Sequence, residues 1–493
     1  MSVQGREPGH NPFKSLKLSI FTDKLSDIIT TSFKATLMIT FIITSIIIVF
    51  YSFFGSQTRW RFGYQDFPVN TNMTRPVCID MTRPGSLTNI SHIVFGIGGS
   101  AKTWSNRQKY SQLWWRVNYT RGFVWLDEKP DPDTKWPENL PPYKVSSDWT
   151  HFKFSSSQSA VRIARIVSDS FRVGLPDVRW FVMGDDDTVF FVDNLVTVLQ
   201  KYDHEKMFYV GGNSESVEQD VLHSYDMAFG GGGFAVSYPL AKQLSQAMDG
   251  CLDRYSNFYG SDQRIWACVS EFGVPLTKES GFHQNDIRGD AYGLLAAHPV
   301  APLVTLHHLD YLSPLFPNQT QDESLNTLMQ AYKLDPSRTL QHSVCYYKNW
   351  GGIWSISISW GYTIQIYNSF LLPPDLEIPL QTFKTWRSWA DGPFTFNTRP
   401  VSSDRCEHPI IYFFDWAQEV SKTETLTSYK KSVVESSKKC KGKVDYRRSV
   451  EKIIVSAPKM DPREFTKAPL RQLCEIENFS YGKMKVKIRR RGP

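Results

Sequence analysis

The chain has 493 residues, 41% of them hydrophobic and 21% charged, with 56 Lys and Arg against 49 Asp and Glu. That length has room for two or three domains around a large core, and the composition excludes a disordered chain, a coiled coil and a collagen-like fibre. The net charge of +7 is unevenly placed: from Lys441 onward 15 basic residues face 6 acidic ones, leaving the rest at 41 against 43, so the body lacks the basic face that nucleic-acid binding needs.

Residues 1–34 read as a short cytosolic segment. Residues 35–54, ATLMITFIITSIIIVFYSFF, hold no charge, and twenty helical residues span roughly 30 Å, the thickness of a bilayer core. This predicts one transmembrane helix. Five Asn-x-Ser/Thr sequons, at Asn72, Asn89, Asn118, Asn318 and Asn478, and all seven cysteines lie C-terminal to it. An oxidising lumen on that side permits disulfides, with Cys251 and Cys268 the preferred pair. The expectation is a single-pass type II membrane protein.

Residues 55–90 show no clear period and read as a stem. Short apolar strands follow at 92–96 (HIVFG), 123–126 (FVWL), 178–183 (VRWFVM) and 207–210 (MFYV), with helical periodicity at 156–171. Strands alternating with helices predict an α/β fold with a mostly parallel sheet. From Trp354 to Ile366 apolar even positions alternate strictly with polar odd ones, which predicts an antiparallel β-rich module over 336–440. The basic tail, 441–493, is expected to be partly disordered.

The strongest local feature is WFVMGDDDTVFF at 180–191, an apolar strand that delivers Asp185, Asp186 and Asp187 into one loop. Adjacent carboxylates repel one another, and a bound cation removes that cost. Hard oxygen ligands suit Mg²⁺ or Mn²⁺ with positions left for substrate phosphates. A solvated acidic turn is the alternative, disfavoured by the apolar segments on both sides. Four glycines at 230–233, Gly231 and Gly232 among them, would let a ligand approach the main chain. In YGSDQRI, Asp262 stands at a helix N-terminus, either as a simple cap or as a working acid.

Taken in order, VFGIGGSAKTWSNRQ, FVWLDE, WFVMGDDDTVFF, FYVGG, MAFGGGGFAVS, GSDQRI and GFHQND resemble fringe-type β-1,3-glycosyltransferases, most closely their plant branch. The resemblance covers about residues 90–310 and implies a GT-A-type nucleotide-sugar transferase domain over 91–335, using a UDP-sugar and Mn²⁺ or Mg²⁺. It implies Asp187 as a metal ligand and Asp185, Asp186, Arg107 and Asp127 on the nucleotide sugar, near the glycine run. It also implies Asp262 as the catalytic base. The family's last metal-binding histidine would be the second of a Phe-His-x-His stretch, a position that is Asn285 here. The expectation shifts to His283, with His307 or His308 as further candidates.

These parts imply an inverting, metal-dependent transfer to a glycan or glycoprotein hydroxyl in the Golgi lumen, forming a β-1,3 linkage. A glycan-binding protein of the same fold without catalysis is the alternative, kept open by Asn285. A Ca²⁺-binding membrane scaffold is the third reading.

Overall fold

The computed structural model describes residues 34, 37–45, 87–133, 135–153, 157–349, 352–386, 397–432 and 445–490. Two compact units divide the chain, 1–84 and 85–493. In the first, residues 37–45 are helical and Leu37, Met38, Ile39, Phe41, Ile42 and Ile43 are exposed. Among the described residues no helix is long and apolar enough to cross a membrane, so the expected transmembrane helix is not found there. The rest of the 35–54 span, the stem up to residue 86, Asn72, Cys78 and Cys440 lie outside the described residues.

The second unit is built on a mixed sheet. Its strands are β1 (Ile93–Gly98), β2 (Gly122–Leu126), β3 (Tyr143–Val145) and β4 (Trp180–Asp185). After the short β5 (Val189–Phe190) come β6 (Tyr209–Gly211), β7 (Phe234–Ser237) and β8 (Leu276–Lys278). The order is β3-β2-β1-β4-β7-β6-β8, and β7 alone runs against its neighbours. All six residues of β1 are buried, as expected for a central strand covered on both faces.

The helices Gln158–Arg172, Tyr238–Arg254 and Ser261–Glu271 cover one face, burying Val161, Leu244 and Val269 with Val94, Phe181 and Val236 of the sheet. The disulfide Cys251–Cys268 joins two of these helices across a Cα separation of 5.8 Å, as the preferred pairing anticipated. On the other face the helix Trp104–Trp114 packs Trp114 4.9 Å from both Phe95 and Phe190. This sheet with its flanking helices forms an α/β domain, as the alternation of strands and helices in the sequence predicted.

Beyond it, β9 (Ile287–Gly289) and β10 (Thr305–Leu306) lead towards a closed eight-stranded barrel. Its first strands are β11 (His342–Asn349), β12 (Gly352–Ser359) and β13 (Thr363–Tyr367). After β14 (Phe383–Thr385) come β15 (Ile410–Ser421), β16 (Glu424–Lys431), β17 (Lys452–Pro458), β18 (Leu473–Ser480) and β19 (Lys483–Arg489). The alternation at 354–366 is two strands joined at Gly361, whose φ of 76° suits glycine. Its polar positions Ser355, Ser357, Ser359 and Thr363 are buried as well. Barrel and sheet share one apolar core, which runs from Phe95 and Phe190 to Ile356 and Val486.

The tail departs from expectation. Residues 452–489 supply β17, β18 and β19, and the barrel closes only through them. In KMKVKIR, Met484, Val486 and Ile488 are buried while Lys483, Lys485 and Arg489 are exposed. The excess positive charge is the outer face of a strand. The Cys345–Cys474 disulfide fastens β11 to β18.

Candidate metal and nucleotide-sugar site

Strand β4 ends at Asp185, and a tight turn carries the next two carboxylates inward. Thr188 fixes that turn: its Oγ1 accepts from the Asp185 N–H at 2.8 Å and donates to the Gly231 carbonyl at 2.7 Å. Asp186 and Asp187 are buried, whereas the Asp185 side chain stays 33% exposed. Arg107, on the helix Trp104–Trp114, places Nη1 2.7 Å from Asp187 and 3.1 Å from Asp186, as the resemblance implied for a residue of this site. Its Nη2 lies 3.7 Å from Asp310, to which the Tyr110 hydroxyl also donates.

His307 completes the group. Its Nε2 is 3.1 Å from Asp187 and 3.8 Å from Asp185. One ligand atom each from Asp185, Asp187 and His307 lies within 4.8 Å of the others, an arrangement that could hold a metal ion. His307 Nδ1 is buried without a hydrogen-bond partner among the described residues, and such an atom calls for a ligand. Two carboxylates and an imidazole suit a divalent cation.

His283 stands elsewhere. Its Nδ1 faces Glu215 at 2.9 Å and its Nε2 faces His298 at 2.9 Å, so both ring nitrogens are engaged in a buried polar chain. It therefore does not join the acidic group, and the metal ligand expected there is His307. The signal that could have found it, the His-His pair in LVTLHHLD, offered two candidates without choosing between them.

The glycine run admits this histidine. A Cβ on Gly231 would lie 2.0 Å from His307 Cε1. Gly232 donates its N–H to Gln284, and its carbonyl accepts from Thr305. The crowding at Gly231 and Gly232 thus comes from the protein itself. Asp127 caps the loop after β1, accepting from Ser100 Oγ and the Ala101 N–H at 2.9 Å each. The buried Arg162, which sequence reasoning missed, feels the charges of Asp127, Asp185 and Asp186 together.

Asp262 lines the same small pocket as Asp185, together with Gly230 and Ser261. Gly260 is the N-cap of the helix Ser261–Glu271, so Asp262 is not the cap. Its carboxylate accepts from the Gly230 N–H at 3.3 Å and the Gln263 N–H at 3.0 Å.

The electrostatics divide these acids. Burial raises Asp185 to about 6, despite His307. Burial and the neighbouring Asp187 raise Asp186 to about 7. Burial opposes ionisation of Asp187 too, but His307 and Arg107 outweigh it and hold that carboxyl well below the usual range. Burial would lower His307, yet Asp187 and Asp185 hold it up at about 9. Burial also raises Asp262, which favours a carboxylate that accepts a proton.

A Fringe-like family model matches residues 112–293, which makes the chain a fringe-related protein. The family model described as "Protein of unknown function, DUF604" matches residues 219–474, more than half of the sequence. The chain belongs to that family. It is similar to a Mus musculus beta-1,3-glucosyltransferase, with 31% identity over 108 residues that are 22% of this chain and 21% of the relative. It thus spans about a fifth of that relative's length.

Among solved structures it is similar to the catalytic domain of Drosophila beta1,4galactosyltransferase 7 in complex with xylobiose, at 12% identity and a TM-score of 0.23, over 38% of this chain and 64% of that one. A glycosyltransferase involved in glycosylating the major capsid of PBCV-1 is similar at 10% identity and a TM-score of 0.27, over 48% of this chain and 97% of that one.

Proposed function

We propose that the protein is an inverting, metal-dependent glycosyltransferase that moves a sugar from a UDP-sugar to a hydroxyl of a glycan or glycoprotein, forming a β-1,3 linkage. The observation that carries this reading is that Asp262 lines the same small pocket as Asp185, a member of the group that can hold a cation. A divalent cation held by Asp187 and His307, with Asp185 beside them, would offset the charge of a departing diphosphate.

The chain's own residues do the rest. Arg107 pairs with Asp186 and Asp187 and helps to hold Asp187 ionised. Asp262 takes the proton of the acceptor hydroxyl as its oxygen bonds to the anomeric carbon. The bond from that carbon to the phosphate oxygen breaks, and UDP leaves with the electron pair. One displacement from the opposite face inverts the centre. The feature favouring a glycan-binding protein without catalysis loses force, because His307 offers the acidic group an imidazole that Asn285 does not.

The reading extends to location: a single-pass type II protein of the Golgi membrane with its body in the lumen. The apolar residues exposed between Leu37 and Ile43, the exposed asparagines of the four described sequons, and the disulfides support it. The test is turnover by the full chain in detergent, with Mn²⁺, across a panel of UDP-sugars and glycan acceptors. Donor consumption that Mn²⁺ supports and Asp262→Asn removes is the expected result. A folded protein that consumes no donor and shows no thermal shift with UDP and Mn²⁺ would sink the reading.

A further inference from the structure

A base at Asp262 needs a place for the molecule it deprotonates, and the surface beside it is aromatic. Tyr259, three residues before Asp262, is 73% exposed, and Tyr225, Val221 and Leu222 are exposed too. His223 links the two segments, with its ring 6.5 Å from Tyr259 and 6.0 Å from Phe229. Phe229 precedes Gly230, whose N–H donates to Asp262. The rings and the carboxylate therefore lie on two segments in contact, 223–230 and 259–262. His223 Nδ1 meets no hydrogen-bond partner among the described residues.

Single exposed apolar side chains are ordinary, but a cluster of them bordering a buried acid marks an interaction site. Tyrosine offers a flat apolar face together with a polar tip. That combination suits the C–H face of a pyranose, while an imidazole nitrogen can meet one of its hydroxyls. Asp226 is the one acid between 221 and 229, with no Lys or Arg to balance it. An anionic occupant is therefore disfavoured, and the cationic Arg107 lies at the metal group instead.

We propose that Tyr259, Tyr225 and His223 form the subsite for a neutral pyranose of the acceptor, stacked on Tyr259 with one hydroxyl turned towards Asp262. This rests on the glycosyltransferase reading above.

Saturation-transfer NMR on the full chain in detergent tests it, using the methyl glycosides of glucose, galactose, xylose and N-acetylglucosamine as probes. At least one should bind through its C–H protons. Tyr259→Ala should weaken it roughly tenfold or more, the scale of one well-packed aromatic contact. Tyr259→Phe should keep the binding. If none of the four binds, or if Tyr259→Ala binds as the wild type does, the subsite is wrong. The broader reading fails separately, by the absence of a thermal shift with UDP and Mn²⁺. Sugar binding without UDP binding would sink that reading and leave the subsite standing; UDP binding with no sugar at Tyr259 would do the reverse.

Discussion

Asn285 donates from Nδ2 to the backbone carbonyl of His307 at 2.9 Å. Its own N–H donates to Glu215 at 2.7 Å, and its φ of 54° lies in the left-handed region that asparagine tolerates better than most residues. The residue at the position of the expected histidine thus bonds the backbone of the histidine that joins the candidate metal group. Asn285→Ala removes this support and should weaken Mn²⁺ binding about 10- to 100-fold, the usual effect of losing an outer hydrogen bond to a metal ligand. Calorimetric titration of Mn²⁺ checks it; unchanged affinity would show that the turn holds itself.

His307 and His283 should separate cleanly. His307→Gln should abolish the thermal shift produced by Mn²⁺. His283→Gln should keep that shift, while melting shows a loss of about 1–3 kcal/mol because Glu215 and His298 lose a buried partner. The opposite pattern would restore His283 as the ligand.

The contrast between these histidines also shows what the sequence could convey. Asp185–Asp187 were legible because an apolar strand, an acidic turn and an apolar resumption are consecutive. Asp262 was legible because a helix start is local. The choice of His307 over His283 depends on how the 282–286 and 305–308 turns cross, and no local pattern encodes that. The tail was misread for another reason. Net charge sums over both faces of a strand, so the period-two burial of Met484, Val486 and Ile488 was hidden behind their lysine neighbours.

Gly231→Ala tests the close approach at the glycine run. The added methyl would meet the His307 ring at 2.0 Å, and neither the ring nor the Thr188-bonded carbonyl of residue 231 is free to give way. A shift of the metal-binding ring by about 1 Å can cost roughly 100-fold in rate. The expected outcome is a comparable loss of Mn²⁺-dependent turnover together with a lower melting temperature, since overpacking a buried site costs about 1–3 kcal/mol. Gly250→Ala, exposed on the helix Tyr238–Arg254 and meeting only the flexible Arg254 side chain, serves as the control for handling.

Metal affinity should rise with pH. In the metal-free protein Asp185 titrates at about 6, Asp186 at about 7 and His307 at about 9. Each of these values lies above the ordinary one, so folding holds protons that metal binding must expel. Their stabilising effect is complete at low pH and is lost as pH rises through those values. Asp187 stays ionised throughout this range. Between pH 6 and pH 9 the Mn²⁺ affinity should therefore climb by about tenfold for each unit over which one proton is displaced. Calorimetry in buffers of different ionisation enthalpy should show the released proton, and a flat affinity over that range would contradict the assignment of His307.

The barrel makes the last prediction, because it cannot close without the basic segment. Strands β17 and β19 pair in parallel, β18 and β19 antiparallel, and β18 returns to β11 at Val344 and Leu473. Removing residues 441–493 would leave β16 and β11 as open edges and expose Ile356, Ile358 and Tyr429, all buried now. Long apolar edges of that kind pair with other chains. A chain ending at residue 440 should therefore aggregate or lose its cooperative melting transition. Cys474→Ser is the milder probe. It opens a disulfide that closes a 129-residue loop and should lower stability by about 2–5 kcal/mol, read by chemical denaturation. A truncated chain that melts cooperatively at the wild-type temperature would show that the tail is an addition, and that β11 to β16 close on themselves.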